Sequence, residues 1–109
     1  VTLLLPRPTR IAAGTGELVL GADTTLGAPD ELTGVRQWFQ GALRPATGLA
    51  LRESTRSTIQ LSTSKDLANE GFRLEVTPAG ATITGGGPAG VFYGCQAFLQ
   101  LLPSGQSGR

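Results

Sequence analysis

The chain has 109 residues, with nine basic and eight acidic side chains and a formal net charge of +1. Its charges are scattered and nearly balanced, which gives no basic face for nucleic acid or an anionic membrane, and no apolar run approaches the roughly 20 residues that span a bilayer. One cysteine and no histidine rule out an internal disulfide, a histidine-based triad and the common zinc sites, and the length fits one domain.

Val1–Leu5 is apolar and runs into Pro6-Arg7-Pro8, whose two prolines favour an extended entry. Val1 is not a translational start and no signal segment precedes it, so the chain is expected to be a piece of a longer protein or a processed product. Ile11–Ala13 reads as a short edge strand, Gly14-Thr15-Gly16 as a turn and Glu17–Leu20 as a strand that Ala22–Thr25 extends. Pro29, Asp30 and Glu31 mark a helix start, because acids in the first turn complement the helix dipole. Leu32, Val35, Phe39 and Ala42 then form one apolar stripe, with Trp38 and Leu43 on its flanks and Arg36, Gln37 and Gln40 facing away. Trp38 is assigned to the core rather than to sugar stacking. Arg44-Pro45 is expected to end this helix.

Leu49–Arg52 and Thr58–Ser62 are expected to pair as a hairpin across the polar loop 53–57, and Ser64–Asn69 forms a second loop. Phe72, Leu74 and Val76 alternate with Arg73, Glu75 and Thr77, the period of two of a strand with one buried face. Pro78-Ala79-Gly80 should turn the chain, with Gly80 at positive φ, into the partner strand Ala81–Thr84. Pro88 suits the first turn of a helix. Val91, Cys95, Phe98 and Leu102 form its stripe, widened by Phe92, Leu99 and Leu101, and only Tyr93, Gln96 and Gln100 make a polar line. A helix this apolar is normally covered on more than one side. The order of elements predicts an α+β fold: a two-layer sandwich of a mostly antiparallel sheet with two helices packed on one face. Residues 1–103 form the domain, and 104–109 read as a linker toward a further domain.

No motif carries chemistry. Gly85-Gly86-Gly87 before a helix lacks the phosphate-loop ending and the dinucleotide spacing, and is read as a tight connection. Asp30-Glu31 is explained by its helix start, Asp66 and Glu70 sit in a loop, and no nucleophile elbow occurs. Cys95 is read as a small buried apolar residue.

The segments Glu70-Gly71-Phe72-x-Leu74-x-Val76 and Ala89-Gly90-x-Phe92-Tyr93-Gly94-x-Gln96-x-x-x-Gln100-Leu101-Leu102, with the opening Leu5-Pro6-Arg7-Pro8, resemble the N-terminal, non-catalytic domain of family-20 glycoside hydrolases, the β-N-acetylhexosaminidases. Phe72 stands where tyrosine is usual, and Ala97-Phe98 where Ser or Thr and Leu are common. The resemblance implies an accessory domain whose helices lie between its own sheet and a (β/α)8 barrel of the same chain that removes terminal N-acetylhexosamine. The family's catalytic residues lie in that barrel, so no catalytic, cofactor-binding or metal residue and no cofactor is expected here. It also points to a secreted or periplasmic setting. The alternatives are the front domain of an α-glucuronidase or an O-GlcNAcase-like hydrolase, or a stand-alone interaction module. The domain alone is expected to expose the 88–102 helix and either to be only marginally stable or to self-associate through that surface.

Overall fold

The computed structural model describes residues 9–13, 16–21, 24–53 and 58–102. The expected extended entry before Thr9 and the tail from Pro103 onward lie outside them. Strands β1 (Thr9–Ala13) and β2 (Gly16–Leu20) pair antiparallel, with Ile11 opposite Leu18. Leu18 and Leu20 alternate with the exposed Glu17 and Val19, and with Ile11 they join the core.

The main sheet contains β3 (Thr25–Gly27), β4 (Arg52–Glu53), β5 (Ile59–Thr63), β6 (Phe72–Thr77) and β7 (Gly80–Gly85), in the order β4-β3-β5-β7-β6. It is mixed rather than mostly antiparallel: β3–β4, β3–β5 and β5–β7 are parallel, and only β6–β7 is antiparallel. The expected hairpin of Leu49–Arg52 with Thr58–Ser62 does not form. Both segments pair with β3 instead, β4 on one side and β5 on the other.

The physical reason lies at one end of the sheet. The ends of β5 and β7 and the start of β6 come together there, with Thr63 opposite Gly85 and Gly85 opposite Phe72. The loop 64–71 therefore steps across the end of β7 and lets β7 slot between β5 and β6. It is held by backbone bonds from Ser64 N–H to Gly85 O (2.9 Å), Gly86 N–H to Gly71 O (3.0 Å) and Gly90 N–H to Asn69 O (3.2 Å). Only glycine permits so close a crossing. A Cβ on Gly86 would lie 1.8 Å from the Ala68 carbonyl oxygen, and one on Gly90 2.2 Å from that of Gly71.

The β6–β7 hairpin turns through Pro78-Ala79, with Thr77 opposite Gly80. Gly80 does not have the expected positive φ. Its glycine is required because a Cβ would meet the Thr58 carbonyl oxygen at 2.5 Å.

Asp30–Leu32 forms a 3-10 turn that leads into α1 (Thr33–Thr47). Contrary to expectation, α1 runs through Pro45 and stops at Gly48, whose φ of 74° places it in the left-handed region and whose N–H bonds to Arg44 O. The bond that Pro45 cannot make would go to the carbonyl of Gly41. Both residues are on the exposed side, where water supplies the missing donor. Gln40, expected to face away, is buried. Its Nε2 donates to Leu51 O at 2.6 Å, and its Oε1 accepts from Arg36 at 2.9 Å. The buried Leu51 has φ 52°, a left-handed conformation uncommon for a leucine. Gln40 and Arg44, the latter donating from Nε to Ala50 O at 2.8 Å, fasten that bend to the helix.

Helix α2 (Pro88–Gln100) lies on the sheet over Ile83 and Phe72, close enough that a Cβ on Gly94 would be 2.5 Å from Ile83 Cγ2. α1 packs beside it through Phe39 and Phe98, whose rings meet edge to face at 5.7 Å. One core joins these rings to Leu26, Ile59, Leu61, Ile83 and Val91. Each fully buried large side chain contributes about 1.5–3 kcal/mol. The architecture is thus a two-layer α+β sandwich.

Candidate docking surface

α2 buries Gly90, Val91, Gly94, Cys95 and Phe98, and leaves Leu102 half-buried as the last member of the predicted stripe. Phe92 and Leu99 are half-buried, while Tyr93, Gln96, Gln100 and Leu101 face solvent. The predicted polar line is therefore the outward line. No residue of the helix is charged.

Trp38 is not in the core. It is 39% exposed, and its ring leans on Phe92 with centroids 4.6 Å apart at an interplanar angle of 54°. Phe92 in turn contacts Tyr93 at 5.9 Å. Trp38 precedes the buried Phe39 by one position, and one residue is a turn of about 100° around a helix. That rotation carries Trp38 off the stripe and onto the seam with α2. The wheel angle was readable in the sequence; the position of α2 beside it was not. Phe72 is 41% exposed and touches the other flank of α2 near Gly94. Apart from Val19, the large apolar side chains left exposed among the described residues all lie on or beside α2: Trp38, Phe72, Tyr93 and Leu101.

The other sequence candidates do not converge. Asp30 and Glu31 are exposed at the 3-10 turn, where Glu31 accepts a hydrogen bond from Thr63 Oγ1 at 3.3 Å. Asp66 and Glu70 are exposed on the loop 64–71. The N–H groups of Gly86 and Gly90 are taken by loop carbonyls, so the triple-glycine segment is a tight connection and not an anion cradle. Among the described residues, no three His, Cys, Asp or Glu side chains come together as a metal-binding group, and no helix is long and apolar enough to cross a membrane. Burial pushes the Cys95 thiol up to about 12, so it stays protonated and inert as a nucleophile.

The family model for glycosyl hydrolase family 20, domain 2, matches residues 2–109. The chain belongs to this family. The domain is similar to part of a lacto-N-biosidase of Bifidobacterium bifidum, with 32% identity over 101 residues that cover 85% of this chain and 9% of that protein. Its fold matches a mutant β-hexosaminidase of Streptomyces plicatus in complex with the product GlcNAc (TM-score 0.76, 32% identity, 90% of this chain and 20% of that one). It also matches the family-20 β-N-acetylhexosaminidase of Streptomyces coelicolor (TM-score 0.77, 29% identity, 93% of this chain and 21% of that one). The chain therefore spans about a fifth of these hexosaminidases and less of the biosidase.

Proposed function

We propose that this is a non-catalytic accessory domain of a β-N-acetylhexosaminidase-type glycoside hydrolase, and that the outward side of α2 docks on the catalytic domain of its own chain. In this reading residues 1–103 form the accessory domain and 104–109 begin the link to the catalytic barrel. The observation that carries the reading is the uncharged outward side of α2, with the exposed Tyr93 on it and Trp38 and Phe72 beside it. Interface centres are depleted of charge and enriched in Trp, Tyr and Phe, whereas a 13-residue helix made only for solvent would carry charges on its outer side. Two further facts support it. The relatives are several times longer than this chain, and they bear two different names, lacto-N-biosidase and β-hexosaminidase. A domain common to both is a poor candidate for the part that selects the substrate.

The test uses the full-length protein with Trp38→Asp and Tyr93→Arg combined. Central aromatic anchors are worth about 2 kcal/mol or more each. The double variant should lose hydrolytic activity at a clearly lower temperature than the parent while keeping its activity in the cold. An unchanged inactivation temperature would contradict the proposal. So would conversion of a dimer to a monomer with no change in inactivation, which would assign the face to a second copy.

A further inference from the structure

The side of the sheet away from the helices carries a groove of about 310 Å3. Its floor is one register row across three strands: Gln60 on β5, Thr82 on β7 and Glu75 on β6 stand side by side. Such neighbours are about 4.8 Å apart. The next row holds Thr58, Gly80 and Thr77, and Gly80 leaves its middle without a side chain. These positions alternate with Leu61 and Ile83, which belong to the core, and with Leu74, which packs against it. The groove therefore faces away from α2 and is independent of the docking surface.

The groups around it differ in what they have left to give. Thr77 is committed to the turn, donating to Gly80 O and accepting from Ala79 N–H, each at 3.2 Å. Gln60 Nε2 donates to Leu61 O at 3.1 Å, which leaves its carbonyl oxygen open. The side chains of Glu75 and Thr82 have no hydrogen-bond or ion-pair partner among the described residues. Among the described residues the groove thus offers one carboxylate, hydroxyl groups and a carboxamide oxygen, and none of its described lining residues is basic. The described lining thus provides no cation to recognise phosphate, sulfate or a uronic acid. With a single carboxylate it cannot enclose a metal ion. Its acceptors suit a partner rich in O–H and N–H donors, since a carboxylate can take two adjacent hydroxyls at once.

We infer that this groove is a secondary binding site for a neutral saccharide of one or two units. Its volume is at the small end of the roughly 300–1,000 Å3 of ligand pockets. With no aromatic platform on this face, the sugar is held by hydrogen bonds alone, which sets a dissociation constant on the order of 1 mM.

The experiment is saturation-transfer NMR on the full-length protein, its catalytic site filled by a tight competitive inhibitor, with N,N′-diacetylchitobiose as the probe. Transfer to the disaccharide should persist in the parent and fall by about tenfold in Glu75→Gln, an exposed change that leaves the core alone, and in Thr82→Leu. A disaccharide ending in glucuronic acid should bind more weakly than the neutral probe. Absence of transfer in the inhibited parent, or equal transfer in the parent and Glu75→Gln, would overturn the inference. Transfer should be unaffected by Trp38→Asp with Tyr93→Arg, so failure of the docking proposal would not remove it.

Discussion

Helices α1 and α2 lie side by side in one layer, and each contains two glycines placed under opposite constraints. A Cβ on Gly34 or Gly41 of α1 would meet nothing within 4 Å, whereas one on Gly90 or Gly94 of α2 would strike loop backbone or the Ile83 side chain. The outer sides differ in the same sense. α1 exposes Gln37 and the charged Arg44, while α2 exposes Tyr93, Gln96 and Gln100 and no charge. α1 is a helix with one packed side and one wet side. α2 is pressed into its own sheet on one side and has an outer side composed like an interface centre. In the proposed reading, the contrast corresponds to one covered side on α1 and two on α2.

The contrast can be broken most severely at Gly90. Gly90→Val places side-chain atoms on the Gly71 carbonyl and displaces the loop bond to Asn69. It should cost about 4 kcal/mol or more and leave the protein insoluble on expression. Gly94→Ala should cost about 1–3 kcal/mol in denaturant unfolding, because Ile83 has to move. Gln40→Leu strips the donor from the buried Leu51 carbonyl and should cost about 1–3 kcal/mol. Gly41→Ala should act in the other direction and stabilise by about 0.5–1 kcal/mol, since it removes unfolded-chain freedom without a contact. If Gly41→Ala and Gly94→Ala shift the unfolding midpoint alike, the difference drawn between the helices is wrong. At neutral pH the smallest effect is at Cys95, which is protonated in both the folded and the unfolded chain. Its thiol is raised from 9.0 to about 12 by burial, so the folded protein keeps a proton that the unfolded chain releases. Stability should therefore decline as pH rises from about 9 toward 12, and a Cys95→Ser variant titrated in parallel should lack that component. At neutral pH the native thiol should resist iodoacetamide.

The sequence showed much of this fold because alternation and helical spacing specify faces. Phe72, Leu74 and Val76 revealed β6, and the nearly all-apolar run after Pro88 revealed α2. Periodicity does not specify neighbours. Nothing in Ile59–Thr63 says that β7, and not the segment before it, pairs beside it. The three glycines at 85–87 and Gly90 held that information, since they admit the loop that crosses the end of β7, but the meaning of a glycine depends on which backbone approaches it. Trp38 and Gln40 escaped for a related reason. Each sits at the border of the α1 stripe, where the burial of a side chain is decided by the adjacent element: Phe92 for the first, the Leu51 carbonyl for the second. The proposed docking surface rests on the apolarity of α2, which was legible in the sequence, while its extension to Trp38 and Phe72 required the tertiary structure.

The central claim is that the outward side of α2 is covered in the intact protein. The most direct measurement is cysteine accessibility in the full-length chain. Gln96→Cys places a thiol in the middle of the exposed α2 line, and Glu75→Cys places one on the open sheet face. Each would be labelled with a maleimide under native conditions and located by peptide fragmentation. The account predicts rapid labelling at position 75 and protection at position 96 that is lost on unfolding. Equal labelling at the two positions in the native protein would contradict it.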